Sequence, residues 1–213
     1  MIPLLLKTVQ DYAPPQGETL SSFRRLIELS STDNSFAKEE IENGFNTICS
    51  HHAITTWAAI ETTIEQILVS LIQKVPTSIT LIEKSVPNLN TKKMRTTTAD
   101  DAKRTIRSWE GAIGLSATMD RTLHMLGAFG LIVELDEEHK RNLSELAELR
   151  NVILHKGGRI DKRFKDKCPW RQDEIGGALH INRSQLGNYF EAASSVATKL
   201  MQSAVDSRYM QKS

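Results

Sequence analysis

Between Phe36 and Val75 the residues Ile41, Phe45, Ile48, His52, Ile60, Ile64, Ile67, Leu68 and Leu71 recur at helical spacing, and Pro76 ends the run. A repeat of that length predicts the longest element of the chain, a helix starting at Asn34 or Ser35 that needs other helices against its apolar face. Trp57, Ala58 and Ala59 would let a neighbour pack closely on it.

The same period returns further along. Residues 76 to 98 break at Pro76, Pro87, Asn88 and Asn90 and read as a connector with one short helix, and the run Thr96, Thr97, Thr98 leads into a helix from Asp100 to Trp109. Met119, Leu123, Leu126 and Phe129 mark a helix from Ser116 to Phe129 that Gly130 closes. Asp136 caps a central helix with Glu137 and Glu138 in its first turn and His155 and Lys156 in its last, as the helix dipole prefers. Its repeat runs through Leu143, Leu146, Ala147, Arg150, Ile153 and Leu154 until Gly157-Gly158 stops it. Gly176-Gly177 and the alternating Ala178 to Ile181 suggest one short extended piece before a last amphipathic helix from Arg183 to Arg208. At the other end, Tyr12-Ala13-Pro14-Pro15-Gln16-Gly17 closes a non-helical lead-in, and Leu20, Phe23 and Ile27 share one face of a short helix. The expectation is an all-α chain: an extension over 1–35, an antiparallel helical bundle over 36–208 and a tail over 209–213.

Charge and cysteine content narrow the class. With 27 basic against 26 acidic residues in 213, no surface-wide polyanion trap is expected, so a nucleic-acid site must be a local patch. Two cysteines, Cys49 and Cys168, have no Cys-x-x-Cys spacing, which suits a reducing compartment, the cytoplasm by default, and excludes the usual structural zinc site. The run Met1 to Lys7 is too short for a signal peptide, and the uncharged run Asn43 to Ile60 carries too many polar residues for a bilayer span. No membrane segment, metal site or cofactor is expected. Glu61 and Glu65 form an i, i+4 pair with no histidine at ligand spacing, and the adjacent His51 and His52 diverge by about 100° on a helix, so neither pair reads as a metal site.

The candidate chemistry lies at the end of the central helix. Asn151 and His155 fall within about 40° of each other and Arg150 about 100° away, so all three can border one groove. A basic segment follows directly: Lys156, Arg159, Lys162, Arg163, Lys165, Lys167 and Arg171, seven cations, against Asp161 and Asp166. With Phe164 and Trp170 interleaved, this segment can hold a phosphate chain while an aromatic ring stacks on a base. The bland alternatives are a dipole-favoured histidine, an arginine covering apolar surface with its stem, and a solvated charged loop.

The order of these residues resembles the HEPN superfamily. The long helix carrying Trp57-Ala58-Ala59-Ile60-Glu61, the later helix ending Glu148-Leu149-Arg150-Asn151-Val152-Ile153-Leu154-His155, the tail Gly157 to Phe164 and the closing amphipathic helix follow its plan over about residues 36 to 208. The signature, an arginine, a polar residue, a few mostly apolar positions and a histidine, stands here as Arg150, Asn151, Val152 to Leu154 and His155. The resemblance implies an all-helical bundle, a homodimer whose two motifs form one composite ribonuclease site, and a toxin or antiphage setting with an antitoxin or defence protein as partner. One branch is controlled by modification of a tyrosine two positions past the histidine; Gly157 stands there, which leaves that control without its acceptor.

Metal-free RNA cleavage needs a base that ionises near neutrality to take the 2′-hydroxyl proton and a cation to hold the phosphate as charge builds. His155 and Arg150 supply those two groups, and Asn151 would orient the imidazole or bond a phosphate oxygen. Lys156, Arg159, Lys162, Arg163 and Lys165 are the expected contacts to the RNA backbone. Two other classes stay open: a non-catalytic HEPN bundle that binds RNA, a nucleotide or a protein, and a helical scaffold with no ligand.

Overall fold

The long apolar repeat does not form one helix. In the computed structural model, which describes residues 35–115 and 118–207, α1 covers 35–42, a turn follows over 43–45, and α2 (Asn46–Lys74) starts afresh. Gly44 (φ 65°) and Phe45 (φ 64°) both take left-handed backbone, which interrupts the helical hydrogen-bond ladder. The expected helix from Phe36 to Val75 is therefore two, and the chain falls into two compact units, Met1–Phe45 and Asn46–Ser213. The lead-in, the helix around Leu20, Phe23 and Ile27, and the 209–213 tail lie outside the described residues.

The unit that begins at Asn46 holds α2, α3 (Ser78–Ser85), α4 (Ala99–Ala112), α5 (Thr118–Ala128), α6 (Glu137–Lys156), α7 (Lys162–Lys167) and α8 (Arg183–Asp206). Among the described residues there is no strand, only one isolated antiparallel bridge between Arg159 and Ala178. No helix among them is long and apolar enough to cross a membrane. The all-α expectation holds.

Local chemistry explains the ends. Pro76, with no N–H to donate, follows α2, whose late Ile72 carbonyl accepts from Ser78 Oγ at 2.9 Å. Thr98 caps α4 by accepting from Asp101 N, as the threonine run implied, and Asn182 opens α8 with a reciprocal capping box through Gln185. Ahead of α6, Leu131, Val133 and Leu135 are buried and alternate with exposed Ile132 and Glu134 on an extended segment, so the chain reaches Asp136 pinned on one side.

Helices α2, α6 and α8 pack on one another in all three pairings, with α4 on α2, α3 on α5 and α5 on α6. Ile64, Leu68 and Ile72 of α2 meet this core together with Leu143, Leu146, Leu149 and Val152 of α6 and Ala192, Val196 and Leu200 of α8. Each such leucine or isoleucine contributes about 1.5–3 kcal/mol by leaving water.

The buried stripe of α6 departs from the expected one. Leu143, Leu146 and Ala147 are buried as foreseen, but the stripe continues through Leu149 and Val152, while Ile153 is half-buried and Leu154 is 53% exposed. Asn142 and Glu145 also face inward. Two polar residues on the deep face hide it from a reading by hydrophobicity, which turns the apparent stripe toward Arg150.

Past Lys156 the chain reverses sharply. Gly157 (φ 59°) caps α6 in the left-handed region, its N–H and that of Gly158 (φ 76°) both donating to the Val152 carbonyl. An added Cβ at Gly157 meets nothing within 4 Å, so the cost of a side chain there is conformational alone. Gly157→Ala is expected to lower stability by about 1–2 kcal/mol, read as a lower urea midpoint with unchanged slope; a wild-type midpoint would contradict the left-handed cap.

Candidate active site

Asp136 accepts from His139 N at 2.8 Å and fixes the start of α6, and the glycine cap fixes its end. The returning chain is tied to that end by a short antiparallel pairing: Leu179 N–H donates to Gly158 O (2.8 Å), Ile160 N–H to Gly177 O (3.0 Å) and Gly176 N–H to Ile160 O (2.8 Å). The extended piece expected at Ala178 to Ile181 is the second arm of this pairing, with Leu179 and Ile181 buried and His180 outward. Asp161 accepts from Phe164 N and starts α7, so the basic segment is a short helix flanked by turns.

Within this frame, Arg150, Asn151 and His155 sit in the last two turns of α6. Arg150 and Asn151 are half-buried and His155 is exposed. Arg150 Nη1 donates to Asn151 Oδ1 at 3.4 Å. Asn151 Nδ2 donates to Glu148 Oε2 at 3.3 Å, and Arg163 Nε stands 3.7 Å from that same oxygen. The Asn151 amide, expected to orient the imidazole or bond a phosphate oxygen, lies between Arg150 and Glu148, and the His155 imidazole makes no hydrogen bond among the described residues. Glu148 was not foreseen. The signal available was its place three residues before Asn151, where helical side chains meet.

The basic segment is less free than its count implied. Arg171, the seventh cation, is 8% exposed and belongs to the core: Nη1 donates to Glu145 Oε1 (3.1 Å), Nε and Nη2 to the two oxygens of Asp173 (2.6 and 3.0 Å), and Nη2 also to His180 O (2.9 Å). A buried guanidinium must be paired, and its acids lie outside the segment over which the charge was counted. Of the other cations, Lys162 pairs with Asp166 (2.9 Å), Lys156 with Asp161 (3.8 Å) and Arg163 with Glu148; Lys165 Nζ donates to Arg171 O and Arg159 Nη1 to Gly176 O. The exposed pairs of Lys156 and Lys162 are worth about 0–1 kcal/mol, so a phosphate can compete for them. Phe164, offered as a stacking ring, is 1% exposed and packs in the core. Trp170 keeps a partly exposed ring while its indole N–H donates to Glu145 Oε2.

Glu145, 5% exposed, is the hub beneath this end of α6, because Tyr189 OH also donates to its Oε1. Burial and the Glu145 carboxylate hold the Tyr189 hydroxyl well above its ordinary range, and burial with Glu145 and Glu148 pushes the Cys168 thiol up to about 12. Both groups favour their protonated forms when folded. Their contribution is complete below the unfolded values, about 8.5 for cysteine and about 10 for tyrosine, and is lost as pH rises beyond them. Urea midpoints are therefore expected to fall from pH 8.5 to pH 11, and less steeply in Tyr189→Phe; equal slopes in the two proteins would contradict this coupling.

The remaining pairs singled out from sequence lie elsewhere. Glu65 meets Lys103 at 3.6 Å, and Glu61 and Glu65 line a cleft of about 280 Å³ among α2, α4 and α5. His51 and His52 stand edge to face with ring centroids 6.4 Å apart. Among the described residues no group of three His, Cys, Asp or Glu is placed to hold a metal ion. The chain matches no family model, no curated protein and no solved structure.

Proposed function

We propose that this chain is a HEPN-type, metal-independent endoribonuclease that acts as a homodimer in the cytoplasm, in a toxin or antiphage setting with an antitoxin or defence protein as partner. The observation that carries the reading is the end of α6, where Arg150 is braced by Asn151 and the exposed imidazole of His155 makes no hydrogen bond among the described residues. In this reading His155 takes the proton of a 2′-hydroxyl, the 2′-oxygen bonds to phosphorus, and the bond to the 5′-oxygen breaks. The products are a 2′,3′-cyclic phosphate and a 5′-hydroxyl. Arg150 holds the non-bridging oxygens as charge builds on them.

A proton must also reach the leaving 5′-oxygen, and one copy of the motif offers one imidazole. The imidazolium of a second copy supplies it, so the site needs two chains. Leu154, exposed one turn beyond Arg150, supports a face that a second copy covers. Lys156, Arg159, Lys162, Arg163 and Lys165 carry the backbone of the RNA past this end of α6.

An RNA with 2′-deoxy residues at its cleavage positions is expected to survive, and fragments of the ordinary RNA to end in cyclic phosphate; cleavage of the deoxy substrate would overturn the mechanism. Because the shared site takes an imidazole from each chain, a dimer of one wild-type and one His155→Ala subunit should be as inactive as the His155→Ala dimer; about half the wild-type rate in the mixed dimer would contradict a shared site. One observation favours a second reading, the non-catalytic bundle that binds RNA, a nucleotide or a protein: the pairing of the basic segment within its own fold leaves fewer cations for a long polyanion. That reading expects no cleavage of RNA, and binding of a nucleotide, a protein or RNA that His155→Ala leaves unchanged.

A further inference from the structure

We infer that Glu148 is a positioning residue of the α6 site, selecting the orientation of the Asn151 amide and, through it, the placement of the Arg150 guanidinium; the inference rests on the ribonuclease reading above. A carboxylate only accepts hydrogen bonds, so Glu148 Oε2 can meet only the Nδ2 end of Asn151, 3.3 Å away. That choice leaves Asn151 Oδ1 toward Arg150 Nη1, at 3.4 Å. With the amide turned over, its NH₂ would face the guanidinium, donor against donor, and Arg150 would lose its side-chain acceptor among the described residues.

Two further observations fit this role. The Glu148 side chain is 13% exposed, so its influence on Asn151 is screened less than the open pairs of Lys156 and Lys162. A negative charge beside a path for RNA also weakens binding. Arg163, 3.7 Å from the same oxygen, offsets that charge and ties α7 to the site. Glu148 therefore costs affinity while ordering the groups that act on the phosphate, and a substitution can separate the two effects.

The test uses the full chain, a fluorophore-labelled RNA of mixed sequence, and two readouts, the single-turnover rate at saturating enzyme and the half-saturating concentration. Glu148→Ala is expected to lower the saturating rate about tenfold or more, and to add nothing when combined with Asn151→Ala. Glu148→Gln can still turn a carbonyl toward Asn151. It should keep the rate within about twofold of wild type while binding RNA more tightly, since a negative charge is gone. Rescue by glutamine together with the split between rate and binding is what a merely structural glutamate would not produce. If Glu148→Ala lowers the melting temperature, Glu148→Met, which keeps the stem and removes the acceptor, replaces it in the comparison. Wild-type rates in Glu148→Ala or Glu148→Met beside a dead His155→Ala would overturn the role of Glu148 and leave the ribonuclease reading standing. Equal losses in the alanine and glutamine variants would also overturn it, by tracing the effect to charge. No cleavage by the wild-type chain would overturn the ribonuclease reading, and this inference with it.

Discussion

Arg171→Met is expected to destabilise the protein by about 3–5 kcal/mol, a large part of what a domain of this size has available. Methionine keeps the length and apolar stem of the side chain but removes a charge that meets Glu145 at 3.1 Å and both oxygens of Asp173. Glu145 and Asp173 would then stay in a poorly hydrated place without their counter-ion, which is why breaking a buried pair costs far more than the pair itself contributes. Adding Glu145→Gln should return part of the loss, because one stranded carboxylate is gone while glutamine can still accept from Tyr189 or Trp170. Arg163→Met, which removes a cation whose side chain is 68% exposed and stands 3.7 Å from Glu148, should cost under about 1 kcal/mol. Urea unfolding of the four proteins is the measurement. A midpoint for Arg171→Met no lower than that of Arg163→Met would contradict the place given to Arg171 as the pin between α6, α8 and the 157–182 segment.

That pin shows why part of the molecule could be read from the chain and part could not. The caps were legible because they are local: Asp136 reaches His139, Thr98 reaches Asp101, and Gly157 closes the helix it follows. The extended piece at 178–181 was legible from two-residue alternation. Arg171 was not, because its partner Glu145 lies 26 residues away and Tyr189 lies 44 residues from that same glutamate. A count of charge over a short window sees only Asp161 and Asp166. The break at Gly44 was missed for the opposite reason, since one glycine inside a long apolar repeat reads as tolerated until its φ is seen to be positive. At the site itself Arg150, Asn151 and His155 were visible as a spacing. That Asn151 accepts from Arg150 while donating to Glu148, with Arg163 beside the same carboxylate, could not be read from it, because it depends on how α7 folds back against α6.

The second large effect concerns chemistry. His155→Ala removes the group proposed to take the 2′-hydroxyl proton, and Arg150→Ala the cation proposed to hold the phosphate; each should lower cleavage about 100-fold or more. His155 is exposed and makes no hydrogen bond within the described protein, so its loss should leave the melting temperature where it was. A fall in rate would then report chemistry and not folding. The decisive measurement is cleavage of single-stranded RNA by the purified chain in EDTA, wild type beside His155→Ala and Arg150→Ala. The expected result is metal-independent cleavage by the wild type, fragments ending in 2′,3′-cyclic phosphate, and loss of nearly all activity in both variants; full activity in either pure variant would contradict it.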